Sequence, residues 1–252
     1  VQELKSKGDL ELMREAGRIV AITLEALTAA AVPGTTLNEL DRIAGDFIRK
    51  HGAVSSFFNY RVGKNIYPKV LCTSVNEAVV HGIPDGRKLM DGDIVGLDFG
   101  VSFRGFHGDA ARTVGVGLIS AAKQRLLDTT REALTRGISQ AIDRNRVGDI
   151  GAAVQTFVES RGYAVVRDFV GHGIGRRMHE DPQVPNYGKP REGTRIKNGM
   201  VLALEPMVNE GTYETEIMPD GWTVLTKDRK LSAHFEDTVA VTENGPVILT
   251  RP

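Results

Sequence analysis

GLDFGVSFRGFHGDAART, residues 96–113, sets Asp98 and Asp109 in an otherwise apolar, glycine-punctuated stretch. Both flanks read as strand, and the midpoint between the acids falls between Phe103 and Arg104, next to Gly105. That pattern predicts a hairpin with the two aspartates opposite each other on one face. Directly opposed residues bring their Cβ atoms to about 4.5–5.5 Å. Two carboxylates at that spacing repel, and burial raises the cost. Relief can come from a shared proton, a basic partner or a metal cation. Arg104 falls in the turn, and Arg112, an odd offset from Asp109, belongs to the other sheet face.

Outward from the hairpin, two helical pairs flank it. Residues 10–30 carry Met13, Ala16, Val20, Leu24 and Leu27 at helical spacing, and Pro33-Gly34 ends the pattern. Thr36 with Glu39 resembles a capping box opening a second helix, with Leu37, Leu40, Ile43, Phe47 and Ile48 inward and His51-Gly52 at its close. A similar pair recurs over residues 122–162: a shift of 110 aligns Leu37 with Val147 and Gly52 with Gly162, and a shift of 114 aligns Leu12 with Leu126. The economical reading is one domain, residues 1–252, built by internal duplication from halves of about 10–117 and 120–250.

The second half continues with strand-like VVRDFV and glycine-rich GHGIG. A loop from His179 to Pro190 follows, then a turn at Lys197-Asn198-Gly199 and a strand MVLALEPMV. A hairpin near Pro219-Asp220-Gly221 and strands through HFEDTVAVT and PVILT complete the chain. Lys plus Arg and Asp plus Glu are equal at 32 each, which gives no global signal for nucleic acid. A single cysteine, Cys72, excludes an internal disulfide and fits a reducing compartment. No apolar run approaches membrane-spanning length. The expectation is a cytoplasmic, monomeric protein with no membrane or DNA partner.

Five positions share one anomaly, an ionisable side chain in apolar or glycine-rich surroundings: Asp98, Asp109, His172, Glu205 and Glu236. Singly, each has an ordinary explanation as a turn, cap or strand-end residue. Together they carry too much charge for one shared proton, and a pair of divalent cations bridged by carboxylates fits better. Four oxygen donors and one nitrogen, without thiolate, do not suit a structural zinc site. They suit Mn, Fe or Co, with Zn or Ni also within reach.

These residues and their contexts resemble the methionine aminopeptidases of the single-domain, bacterial type. The motifs are LMREAGRIV, PGTTLNELD, LCTSVNEAVVHGIP, DIVGLDFG, GFHGDAART, FVGHGIGRRMHEDPQVPN, LALEPMV and DGWTVLTKDRKLSAHFEDTVAVT, and they span essentially the whole chain. The resemblance implies an α+β "pita-bread" fold: two pseudo-symmetric halves of helix pairs packed on a curved antiparallel sheet around a dinuclear metal site. It implies Asp98 as terminal ligand of one ion, His172 and Glu205 on the other, and Asp109 and Glu236 bridging. The implied reaction removes the N-terminal methionine of nascent proteins, preferentially before a small residue, through attack of metal-bridging hydroxide on the scissile carbonyl. Glu205 is the implied proton shuttle.

The same resemblance assigns His81 and His179 to substrate contact, and Tyr67, Cys72 and Trp222 to the methionine pocket, with Phe57 and Tyr60 beside them. The segment YRVGKNIY is longer between its tyrosines than in many relatives, and Met178 stands where some have an aromatic side chain. Asn76 and Ser232 match positions that bind a monovalent cation. His107 and His234 each stand two residues before an acidic ligand and are candidates to support it; His51 reads as a helix-end residue. Two alternatives stay open: a related Xaa-Pro peptidase, which usually carries an extra N-terminal domain, and a non-catalytic peptide-binding relative. The basic loop KPREGTRIKNG, residues 189–199, is a candidate for transient ribosome contact.

Overall fold

The hairpin turns at Arg104-Gly105, one residue later than the sequence midpoint, because these two residues take the left-handed conformation (φ 49° and 83°) that a tight two-residue turn requires. Phe103 therefore pairs with Phe106, and the register places Asp98 against Ala111 and Gly100 against Asp109. The two aspartates are thus diagonal neighbours on one face and not directly opposed, a correction to the expected pairing. A Cβ on Gly100 would lie 2.8 Å from Asp109 Oδ1, so the glycine leaves room for the acid across from it.

The computed structural model describes residues 3–251. Strand Ile94–Phe103 is buried along most of its length. Val95, Leu97, Phe99 and Val101 are fully buried against the first helix pair, while Gly96, Asp98 and Gly100 turn to the other face. Helices α1 (Lys7–Ala30) and α2 (Leu37–His51) form that pair, each opened by a capping box, Ser6 with Asp9 and Thr36 with Glu39. Met13, Ala16, Val20, Leu24, Leu27, Leu37 and Leu40 are buried as the spacing predicts, with Ile43 and Phe47 half-buried. Gly52 closes α2 in the left-handed conformation at φ 61°.

Helices α3 (Ala121–Ser139) and α4 (Val147–Ser160) repeat the arrangement in the second half and pack on their own core with Leu202, Leu204, Val208 and Val239. All named strand pairs are antiparallel, in sheets of 4, 5, 3, 3 and 2 strands among the described residues. The halves are stitched by a bridge between Ala111 and Glu236, with Glu236 N donating to Ala111 O at 2.9 Å. Beside it Asp109 N donates to Thr238 Oγ1 at 3.0 Å, and that hydroxyl donates to Asp109 O at 2.8 Å.

Three sequence readings of the second half change. Of VVRDFV, residues 165–170, only Val165 is strand, as the end of the short strand Ala164–Val165. The expected loop from His179 to Pro190 contains strand Glu180–Val184, which pairs with Gly171–Gly173. MVLALEPMV is two strands, Val201–Leu204 and Met207–Asn209, in different sheets. Pro206 has no N–H to continue the ladder, so the chain changes sheet there and Glu205 sits at the break.

Candidate metal centre and peptide cleft

The five expected donors come together from both halves, and all line one cavity of about 220 Å³. The hairpin supplies Asp98 and Asp109, strand Gly171–Gly173 supplies His172, the break after Leu204 supplies Glu205, and Glu236 precedes strand Asp237–Thr242. Donor atoms of Asp109, His172 and Glu236 lie within 4.8 Å of one another. His172 Nε2 is 3.6 Å from Glu205 Oε1. Its Nδ1 lies 2.8 Å from the Gly173 carbonyl, which can only accept, so Nδ1 carries the proton and Nε2 turns a lone pair to the cavity.

The electrostatics are those of a site built for cations. Burial and the Asp109 carboxylate push Asp98 well above the usual range. Burial raises Asp109 to about 7. Burial, then Asp109 and Asp98, do the same to Glu205, and Glu236 is raised by burial and by Asp109, Glu205 and Asp98. Burial and the neighbouring His179 lower His172 to about 3, which keeps its imidazole neutral. Asp98 Oδ1, Asp109 Oδ1 and Glu236 Oε1 are buried without a hydrogen-bond partner. Arg112 does not relieve them: it donates to Asp237 Oδ1 at 2.5 Å and to the Glu236 and Ala111 carbonyls. Arg104 pairs with Glu15 on the far side at 3.2 Å. Orphaned carboxylate oxygens beside a neutral imidazole are a donor set that fits divalent cations.

Beside the donors, Phe57, Tyr60, Tyr67, Cys72 and Trp222 line the same cavity. Tyr67 is pinned by donating to the Leu71 and Gly82 carbonyls, both at 3.0 Å, and meets the Trp222 ring edge-on at 5.2 Å. Burial raises the Cys72 thiol, so it presents an uncharged sulfur. Met178 also lines the wall. His81 (φ 59°) stands edge-on to Phe169 and Trp222, and burial followed by His179 lowers it to about 4. His179 lies ring against ring with His172 at 4.2 Å and is lowered by burial.

Of the supporting candidates, His234 approaches Glu205 at 3.9 Å and Glu236 at 4.0 Å. His107 turns instead to Ser56 Oγ at 2.8 Å, and His51 is the last residue of α2. Asn76 O accepts from Ser232 N at 2.9 Å, so those two positions do meet. Val62 was not expected in the cavity; it follows Tyr60 by two in a hairpin, Arg61–Val62 with Asn65–Ile66, and so shares its face. A buried pair, Lys5 Nζ to Glu180 Oε2 at 2.7 Å, was also missed. Nothing in the local pattern marks a lysine near the start of the chain as paired with residue 180.

Two halves joined around clustered carboxylates and a neutral imidazole, beside an aromatic cleft, define a metal-dependent peptide hydrolase. The model of metallopeptidase family M24 matches residues 11–243, and the chain belongs to that family. Within it the chain falls among the methionine aminopeptidases. The methionine aminopeptidase of Clostridium perfringens is 53% identical over 98% of both chains. The crystal structure of methionine aminopeptidase from Thermotoga maritima superposes with a TM-score of 0.95 at 41% identity, covering 100% of each chain. A prolidase from Pyrococcus furiosus shares the fold, at 21% identity and a TM-score of 0.76, and this chain covers 65% of it.

Proposed function

We propose that this protein is a metal-dependent aminopeptidase that removes the N-terminal methionine from new proteins, with two divalent ions held by Asp98, Asp109, His172, Glu205 and Glu236. The observation that carries the reading is the coincidence in one cavity of partnerless buried carboxylates with a wall of Tyr67, Cys72 and Trp222. When bound, the ions supply Lewis acidity and lower the pKa of water. One catalytic domain, residues 1–252 in halves of about 10–117 and 120–250, carries the site.

The chain's own groups then divide the work. Tyr67 and Trp222 offer ring edges and faces to a thioether, a contact an apolar aliphatic wall would not give. Cys72 lines the wall without adding charge. Glu205, a carboxylate that lines the cavity 3.6 Å from His172 Nε2, takes a proton from the attacking water and returns it to the departing amine. His81 and His179, both kept neutral, are placed to hydrogen-bond the peptide and the oxygen that gains charge. The same reading includes a preference for a small second residue. A monovalent cation near Asn76 and Ser232, monomeric action in the cytoplasm and transient ribosome contact through residues 189–199 belong to the same reading. No helix among the described residues is long and apolar enough to cross a membrane.

The test is substrate choice. Purified protein supplied with Mn or Co should release methionine from Met-Ala-Ser and leave Ala-Pro-Ser intact; the reverse preference would establish the Xaa-Pro alternative instead.

A further inference from the structure

We propose that Tyr60 is a positioning residue that holds His179 in the tautomer with its proton on Nε2, so that His179 meets the substrate as a hydrogen-bond donor. The inference rests on the reading of His179 as a substrate-contacting residue and adds what sets its direction.

Tyr60 Oη lies 2.6 Å from His179 Nδ1, and this is the one hydrogen bond that either side chain makes among the described residues. The rings are 5.2 Å apart and tilted by 58°, with the hydroxyl at Nδ1. Either group could donate in principle. A phenol oxygen, its lone pair delocalised into the ring, is a poor acceptor, whereas an unprotonated imidazole nitrogen is a good one. The O–H therefore donates to Nδ1. Burial raises the Tyr60 phenol, so it keeps that proton. With Nδ1 accepting, a neutral ring must carry its hydrogen on Nε2.

The neighbouring ring makes the contrast plain. In His172 the Nδ1 partner is the Gly173 carbonyl at 2.8 Å, an obligate acceptor, which puts the proton on Nδ1 and the lone pair on Nε2. Two imidazoles only 4.2 Å apart are thus set to opposite tautomers by their Nδ1 partners. One offers a lone pair, as a metal ligand must. The other offers an N–H, and its Nε2 cannot compete for the cation. The Tyr60 backbone is itself fixed: its N–H donates to Phe57 O at 2.8 Å, and its carbonyl accepts from Tyr67 N at 2.9 Å at the base of the Arg61–Ile66 hairpin.

The test is nitrogen NMR of protein labelled with 15N-histidine, metal-stripped and at pH 8, with the His179 signals assigned by their loss in His179→Ala. The expected wild-type spectrum has a pyridine-like Nδ1 and a pyrrole-like Nε2 for His179. In Tyr60→Phe those signals move toward a tautomer mixture, while the other histidine signals report an intact fold. The Mn-loaded variant loses about fivefold in kcat on Met-Ala-Ser, the worth of one hydrogen bond, with KM moving less. A pyrrole-like Nδ1 in the wild type, or no change of tautomer in Tyr60→Phe, overturns the inference. Wild-type kcat in His179→Ala refutes the underlying role of His179 instead, and with it the catalytic part of the inference.

Discussion

Replacing Asp109 by Asn should make the metal-free protein more stable while abolishing its activity. Asp109 is buried with Oδ1 unpartnered, and its carboxyl is held near 7 against an ordinary value of 3.8. The folded state therefore binds a proton between about pH 4 and pH 7 that the unfolded state does not, so stability falls as pH rises through that window and stays lowered above it. A displacement of about three pH units at 1.36 kcal/mol each sets an upper limit of about 4 kcal/mol at pH 8. Relaxation of the neighbouring carboxyls reduces it, and about 2–4 kcal/mol is expected. For a chain of this size that raises Tm by roughly 4–15 °C. The neutral amide escapes the penalty, so calorimetry in chelator at pH 8 should show Asp109→Asn melting above the wild type. The difference should shrink as pH falls through that window and vanish only below about pH 3, where both states of the wild type are protonated. Added Mn should raise the wild-type Tm, by about 2.7 kcal/mol of stability at a hundredfold excess over Kd, and raise that of the variant far less. A metal-free variant less stable than wild type at pH 8, or equal metal-induced shifts in both, would refute the reasoning.

Further expectations concern single side chains. Glu205→Gln should lower kcat for methionine release by about 10²–10⁴, the usual worth of a positioned acid-base group, measured at saturating peptide. Trp222→Ala should cost up to about tenfold in kcat/KM on a methionine peptide, as expected for losing a sulfur–aromatic contact, shown by assaying Met-Ala-Ser over a range of concentrations. Lys5→Met strips the partner from Glu180, in a pair whose side chains are 1% and 7% exposed, and should destabilise the protein by about 3–5 kcal/mol in urea titration. The double variant Lys5→Met with Glu180→Gln should recover part of that loss.

Much of the site was legible because its residues break local rules. A carboxylate amid Val95, Leu97 and Phe99, or a histidine between two glycines, contradicts its surroundings, and the contradiction marks it without any knowledge of the fold. The helix pairs were readable from the spacing of residues such as Leu37 and Leu40 and from the Thr36–Glu39 cap. Register was not, because the midpoint of two acids says nothing of which residues can adopt positive φ. Arg104 and Gly105 decide that, and they shift Asp98 from Asp109 to Ala111. The strand at Glu180–Val184 was hidden by its proline, and the sheet change at Pro206 by the apolar residues on both sides. Contacts such as Lys5 with Glu180 and Tyr60 with His179 span 175 and 119 residues, and no periodicity carries them.

The most direct measurement of the central claim is methionine release from Met-Ala-Ser by metal-stripped protein, titrated anaerobically with Mn, Fe or Co while bound metal is counted in parallel. Activity should be absent without metal, return as the site fills, and not return in Asp109→Asn. Methionine release by the stripped protein, or metal binding to the wild type with no release under any of these ions, would contradict it.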